Sequence, residues 1–202
     1  MTSTYHHGDL PAALRSATAE LVAERGPTGF SLREVARRAG VSHAAPAHHF
    51  GDSQGLITAV AAEGFSQLAD AFVEVVEGLT DPVERLTEMG KAYVRHAIDN
   101  PGHFGVMCAT DVVNSDDPAF AEASLSAYQA LLDALGHLRD EINPDLDVDA
   151  AATMTWSAVH GLAVLSPYLA DVADKSNTST GPLDELVEQF TGLMLSGYRA
   201  RP

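Results

Sequence analysis

The stretch SLREVARRAGVSHAAPAHHF, residues 31–50, predicts two short helices joined by a tight turn. Ser31 and Glu34 have the spacing of a capping box, in which the hydroxyl and the carboxylate each satisfy a backbone N–H at the start of a helix. Gly40 ends this helix, because the chain must reverse through a left-handed conformation that glycine adopts easily. The buried face of the helix is predicted to consist of Leu32, Val35, Ala36 and Ala39.

The second helix, about 43–49, is predicted to begin after Ser42, a good N-cap, and to end at an inward-facing Phe50. A helix, a glycine-containing turn and a second helix are typical of a helix-turn-helix, whose second helix enters the major groove of DNA. The alternative is an ordinary helical hairpin inside a core. Exposed arginines on the first helix (Arg33, Arg37 and Arg38) and histidines on the second favour an anionic surface such as the phosphate backbone.

Side chains of both helices are therefore candidates for DNA contact. Serine and arginine would bind phosphates and position the protein. Histidine can donate to a phosphate or to a guanine edge, and alanine can contact a thymine methyl group. The candidate DNA-binding residues are Ser31, Arg33, Arg37, Ser42, His43, Ala44, Ala47, His48 and His49.

The longer run YHHGDLPAALRSATAELVAERGPTGFSLREVARRAGVSHAAPAHHF, residues 5–50, resembles the N-terminal DNA-binding domain of TetR-type transcriptional regulators. Farther along, Trp156, His160 and Gly161 resemble the pattern of one C-terminal subgroup, the Trp…His-Gly subgroup. The resemblance implies an all-α fold of about nine helices. An N-terminal three-helix helix-turn-helix domain over 1–51 would precede a helical ligand-binding and dimerisation domain over 52–202.

The same resemblance implies a ligand-responsive repressor that binds a palindromic DNA operator as a homodimer and is released by a small, mostly apolar effector. Two positions depart from the family pattern. Ala47 stands where relatives usually have an aromatic residue, and Ser53 stands where they usually have lysine. Both changes remove phosphate contacts, so the alternative is a helical small-molecule-binding protein with weakened or lost DNA binding.

Composition and charge agree with a regulator inside the cell. A single cysteine, Cys108, excludes an internal disulfide, and the absence of a signal peptide and of an unbroken apolar run predicts a cytoplasmic protein without a membrane span. The net charge is −16, yet residues 1–51 hold five arginines against four acids, whereas the remainder holds seven basic and 24 acidic residues. This asymmetry would direct the N-terminal face towards DNA.

Outside residues 31–50 the pattern predicts helices and no strand. The first is expected over residues 10–25 with Asp9 as its cap, and two more over 53–79 after Asp52 and over 82–99 after Asp81. A brief helix is expected within 103–113. The remaining helices are expected over 118–141, from Asp147 or Asp149 to about 168, and after Pro182. The seventh helix would bury residues from Leu125 to Leu138, and residues 171–181 would form a polar loop.

The C-terminal region is apolar enough for an effector pocket, although each residue taken singly is better explained as ordinary core. Trp156 and His160 are four residues apart on one helix face, where a ligand can stack on one and hydrogen-bond to the other. The candidate ligand-binding residues are Phe65, Leu68, Phe72, Met89, Tyr93, Phe104, Met107, Tyr128, Leu132, Trp156 and His160.

The last two helices are predicted to form the homodimer, because the final helix is apolar although it lies at the end of the chain. The candidate interface residues are Gly161, Leu186, Phe190, Leu193, Met194 and Gly197. We find no catalytic residue set, metal site or cofactor motif, so an enzyme is not expected. Cys108 is interpreted either as a redox sensor or as a small buried hydrophobic residue.

Overall fold

The structure is a computed structural model that describes residues 10–176 and 182–199. Within these ranges the chain forms nine helices and no strand, which confirms the all-α prediction. The helices are α1 (Leu10–Arg25), α2 (Leu32–Arg38), α3 (Ala45–Phe50), α4 (Ser53–Val76), α5 (Pro82–Asp99), α6 (Pro101–Met107), α7 (Pro118–Glu141), α8 (Val148–Ser176) and α9 (Leu183–Arg199). Asp9, the predicted cap of α1, and residues 177–181 lie outside the described residues.

The chain divides into two compact units. The first comprises the chain up to Ser66 together with Asn100–Ser124, and the second comprises Gln67–Asp99 and the chain from Leu125 onwards. The long helices α4 and α7 therefore each contribute to both units. The predicted functional boundary at residue 51 does not coincide with this division and stays a prediction.

The core of the first unit follows the predicted apolar pattern. Leu14, Leu21, Val35 and Leu56 are fully enclosed, and Phe30 and Phe50 pack against them. Removing such side chains from water is the main favourable contribution to folding, at about 1.5–3 kcal/mol for each fully buried residue. In the same unit α6 lies against α1, where Gly102 faces the carbonyl oxygen of Ala19.

Aspartate caps begin three of the later helices, as predicted. The Asp52 carboxylate accepts a hydrogen bond from Gly55 N (2.8 Å), and Asp81 accepts from Val83 N (2.7 Å). Between the two predicted caps of α8, it is Asp147 that accepts from Ala150 N (3.0 Å). Each carboxylate thus satisfies a backbone N–H that has no partner within its helix.

Three predicted details are wrong. Leu125 is 61% exposed, because the inner face of α7 is built instead from small residues such as Ala123 and Ala127 together with Leu135 and Leu138. α4 ends at Val76 rather than at 79. α8 continues beyond residue 168 to Ser176, because Pro167, which is exposed, removes only one helical hydrogen bond.

α4 is long and apolar enough, by length and composition, to cross a membrane. α4 contains no unbroken apolar run of that length, because polar residues interrupt its sequence. Of the apolar stretch concerned, 56% is buried inside the protein, with Leu56 and Val60 fully enclosed. Burial of this extent is typical of a helix in the core of a folded protein.

Candidate DNA interface and ligand site

The predicted capping box and turn of residues 31–41 are both present. Ser31 Oγ accepts a hydrogen bond from Glu34 N (3.3 Å), and the Glu34 carboxylate accepts one from Ser31 N (3.2 Å). Gly40 has a φ of 69°, and the following Val41 N–H donates to Ala36 O at 2.9 Å. Such bonds satisfy the last carbonyls of α2 while the chain reverses towards α3.

The prediction that Ser42 caps the second helix is wrong. α3 begins at Ala45, and its N-cap, Ala44, makes no side-chain hydrogen bond. Pro46 has no N–H to donate to Ser42 O, so Ala45 N donates to that oxygen instead, at 3.0 Å, and forms a tighter turn. Ser42 and His43 therefore precede the recognition helix rather than begin it.

Most arginines of the helix-turn-helix region are held by carboxylates. The pairs are Arg15–Glu63 (3.1 Å), Arg25–Glu34 (2.8 Å) and Arg38–Glu24 (2.7 Å). Arg38 binds both oxygens of Glu24 and holds the pKa of that carboxyl below its ordinary value. The expectation that Arg38 belongs to the free basic face is therefore wrong.

Arg33 and Arg37 are different. Both are exposed, they are four residues apart on α2, and neither makes an ion pair within the described part of the chain. All nine candidate DNA-binding residues are exposed, and the rings of His48 and His49 meet edge to face at 5.2 Å. This surface presents guanidinium and imidazole groups without competing acids bound to them.

In the second unit, three side chains of α5 and α8 form a hydrogen-bonded chain. Trp156 Nε1 donates to Tyr93 Oη (3.2 Å), and Tyr93 Oη lies 2.8 Å from Nδ1 of His160. Because the indole N–H can only donate, Tyr93 Oη accepts from Trp156, and the tyrosine proton can be donated to Nδ1 when that nitrogen is unprotonated. The arrangement fits a neutral His160 that carries its proton on Nε2.

Burial acts in the same direction on His160. It lowers the pKa of His160 below the ordinary histidine value, because the cation is less well solvated. The unfolded chain therefore takes up this proton at a higher pH than the folded chain does. The resulting contribution to stability is complete above the ordinary histidine pKa and is lost as the pH falls below it.

The other predicted ligand residues are distributed over both units. In the second unit Leu68, Phe72 and Met89 are buried, whereas Tyr128, 5.9 Å from Trp156 between ring centroids, and Leu132 are half-buried. The remaining three predicted residues, which belong to the first unit, are Phe65, Phe104 and Met107.

In the first unit the side chains have ordinary packing partners. Phe65 meets Phe120 edge to face at 5.7 Å, and Met107 lies against Gly64. In the second unit, sequence reasoning missed Gln67, whose Oε1 is buried and accepts no hydrogen bond within the described residues. The sequence feature that could have indicated Gln67 is a polar residue inside the apolar pattern of α4.

Four residues of the second unit bring aromatic and polar groups together, of which three are half-buried and Tyr93 is buried. We call Tyr93, Tyr128, Trp156 and His160 the aromatic cluster.

The predicted dimer residues have unequal exposure. Leu193 is 72% exposed, a Cβ at Gly161 would meet nothing within 4 Å, and the half-buried candidates are Leu186, Phe190 and Met194. Gly197 lies beyond the part of α9 whose side-chain surroundings the structure describes. Sequence reasoning missed exposed Met154, Leu165 and Tyr168 of α8, although Met154, Gly161 and Tyr168 recur every seven residues.

Cys108 follows the last residue of α6. It is exposed, so its interpretation as a buried hydrophobic residue is wrong. Although part of its surface is open, desolvation by the surrounding protein raises the pKa of the thiol and disfavours the reactive thiolate. Among the described residues, no three potential metal ligands lie together.

Comparison with known proteins gives matches in both regions of the chain. The profile for "Bacterial regulatory proteins, tetR family" matches residues 14–60, and that for "Tetracyclin repressor-like, C-terminal domain" matches residues 86–168. An HTH-type transcriptional repressor of Mycobacterium tuberculosis is 40% identical over 52 residues. These are 26% of this chain and 28% of that relative, so the match spans little more than a quarter of the curated protein.

Two solved structures extend the likeness to nearly the whole chain. A protein with unknown function from Rhodococcus sp. RHA1 has a TM-score of 0.80 and 28% identity, over 98% of this chain and 99% of that one. A bacterial regulatory protein in the tetR family from Rhodococcus RHA1 has a TM-score of 0.73 and 19% identity, over 95% and 97% of the two chains. At 19% identity the second likeness shows the fold alone.

The family assignment follows from the profiles and agrees with the geometry of α2 and α3. Together the two profiles match more than half of the chain, and curated relatives of this kind are regulators rather than enzymes. The finer assignment to the Trp…His-Gly subgroup stays a prediction. The chain belongs to the TetR family of transcriptional regulators.

Proposed function

We propose that this protein is a cytoplasmic repressor that binds a palindromic operator as a homodimer and is released from it by a small molecule. The observation that carries the DNA-binding part is the pair Arg33 and Arg37, exposed and without acidic partners beside an exposed recognition helix. The M. tuberculosis relative is named a repressor, which supports this direction of control. Two protomers would read half-sites about 34–36 Å apart in successive major grooves.

Replacing Arg37 with alanine is expected to weaken binding to all duplexes alike, because phosphate contacts position a protein without reading sequence. Each lost phosphate contact should also reduce the slope of log affinity against log salt by about 0.9, and a dimer loses two. The test is to select duplexes from a random library and to titrate them at several salt concentrations. Arg139→Ala, an equal loss of charge at an exposed site of α7, is the matched control.

Selection that yields no inverted repeat would contradict the proposal. So would an Arg37→Ala protein with the salt slope of the wild type.

The dimer part of the proposal is supported by an apolar face that the single chain leaves open. Met154, Leu165 and Tyr168 of α8 are exposed, and Gly161 lies between them on the same side of the helix. A glycine with open space above it allows a second helix to approach closely, and two helices from each protomer would bury this face in a four-helix bundle. Leu193 of α9 would extend the same interface.

The effector part is centred on the aromatic cluster. Half-buried Trp156 and Tyr128 offer aromatic faces, and Tyr93 and His160 supply polar atoms within a largely apolar unit, as is usual in small-molecule sites. The acidic charge of residues 52–202 favours neutral or cationic ligands over anions.

Trp156 is the only tryptophan of the chain, so its fluorescence should report effector binding at the aromatic cluster. For any compound that raises the melting temperature, we expect a Trp156 signal and a 5–150-fold lower affinity in the presence of operator, the range of typical allosteric coupling. The measurement is a pair of fluorescence titrations, with and without operator duplex. A scrambled duplex is the control, and equal affinities with and without operator would contradict release by the effector.

The alternative function, a small-molecule-binding protein without regulation, is favoured by one observation. α4 begins with Ser53 and has no basic residue in its first turn, where the family pattern has a phosphate-binding lysine. A protein that binds compounds through the aromatic cluster but enriches no duplex would support this alternative.

A further inference from the structure

We infer that operator binding is coupled to proton uptake by the histidines of the helix-turn-helix, so that affinity for DNA rises as the pH falls. The inference rests on the proposed DNA-binding function and concerns the regulation of that same surface. It begins with the charge of residues 10–66, which hold five arginines, five acids and no lysine. With neutral histidines, this DNA-binding region has no net charge.

The ion pairs show which of these arginines are already bound to acids within the protein. Arg15, Arg25 and Arg38 are held by glutamates, which leaves Arg33 and Arg37 as the arginines of this region without an ion pair in the described chain. A protomer that met DNA with two guanidinium groups alone would make few phosphate contacts. Affinity for duplex DNA depends strongly on the number of such contacts.

Three further groups on the same surface can become positive. His43, His48 and His49 are exposed, and none of them forms an ion pair with an acid in the part of the chain that the structure describes. Histidine changes its charge between about pH 5 and 8, and a nearby phosphate favours the cation. DNA binding should therefore draw protons onto these side chains.

The other charged groups near α3 do not replace this effect. Every acid of residues 10–66 already has a partner within the protein. Glu20 and Glu24 of α1 pair with Arg38, Glu34 of α2 pairs with Arg25, Glu63 of α4 pairs with Arg15 and His103, and Asp52 accepts a hydrogen bond from Gly55 N. On α2, the cations Arg33 and Arg37 keep their charge throughout the range in which histidine titrates.

The test uses the full-length protein and a duplex selected from a random library at about pH 6.5. Affinity is then measured at about pH 6 and pH 8 at constant ionic strength. Each proton taken up on binding makes the affinity change about tenfold per pH unit where uptake is complete, so we expect at least about tenfold tighter binding at the lower pH. The salt slope should also be steeper at pH 6, by about 0.9 for each added phosphate contact.

The triple substitution His43→Gln, His48→Gln and His49→Gln keeps side-chain donors but removes the titrating groups. It should abolish most of the difference between the two pH values. Arg33→Gln should weaken binding at both pH values and leave their ratio unchanged, and His137→Gln, an exposed histidine of α7, should change neither.

Equal wild-type affinity at the two pH values would overturn the inference and would indicate histidines that act as neutral donors. A triple variant that keeps the wild-type ratio would overturn it as well. If the library yields no enriched duplex, the proposed DNA-binding function fails instead, and the two failures are thereby distinguished.

Discussion

Replacing Gly102 with alanine is expected to lower the free energy of unfolding by about 3 kcal/mol, the upper part of the range for overpacked sites. A Cβ at this position would lie 1.9 Å from the carbonyl oxygen of Ala19 and 2.9 Å from its Cα. These are backbone atoms of α1, so no side chain can rotate to make room. α6 would have to move away from α1, to which it is closely packed in the first unit.

Thermal unfolding followed by circular dichroism measures the effect. For a chain of this size, about 3 kcal/mol corresponds to a decrease of about 6–12 °C in the melting temperature. Gly105→Ala is the matched control, because its Cβ would lie 3.5 Å from Val22 Cγ1, an ordinary contact, in the same helix. Alanine also favours the helix by about 1 kcal/mol over glycine.

The two substitutions should therefore have opposite signs, although both are glycine to alanine in α6. A Gly102→Ala protein as stable as the wild type would show that α6 and α1 are not packed so closely at Gly102.

Features that depend on neighbours in sequence were predictable. The capping box of Ser31 and Glu34, the reversal at Gly40 and the caps Asp52 and Asp81 each join groups only a few residues apart. Their chemistry is the same in any protein, so the sequence alone indicates them. The exception is the prediction that Ser42 caps the second helix. It is wrong because Pro46 removes the hydrogen bond that a regular first turn needs.

Features that join distant residues were not predictable. Arg38 lies 14 residues from Glu24, so helical periodicity placed it on an exposed face although a neighbouring helix binds it. Trp156 and His160 were predicted together because they share one helix. Their common partner Tyr93 lies more than 60 residues away, and a periodic pattern does not show which face of α5 meets α8.

The predicted dimer face also could not be located from the periodicity of the sequence alone. The sequence predicted an interface on the last two helices with most candidates on α9, whereas among the residues whose side chains the structure describes, more exposed large apolar residues lie on α8 than on α9. A buried core face and an interface face have the same periodicity, and only folding of the protomer separates them.

Replacing Leu165 with glutamate is expected to weaken the proposed dimer by about 100-fold or more. Leu165 is 50% exposed in the protomer and lies on the open face of α8. A two-fold interface contains every substitution twice, so two carboxylates without partners would be buried. An uncompensated buried charge costs about 3–5 kcal/mol, and about 3 kcal/mol is already more than a hundredfold in affinity.

Sedimentation at micromolar concentration should then show dimer for the wild type and monomer for Leu165→Glu. Val73→Glu is the matched control, since Val73 of α4 is equally apolar and 68% exposed but is not part of the proposed interface. Affinity for the palindromic duplex should fall with the Leu165 substitution, because a monomer contacts one half-site. A Leu165→Glu protein that remains dimeric, or a wild-type protein that is monomeric, would show that the apolar face of α8 has another role.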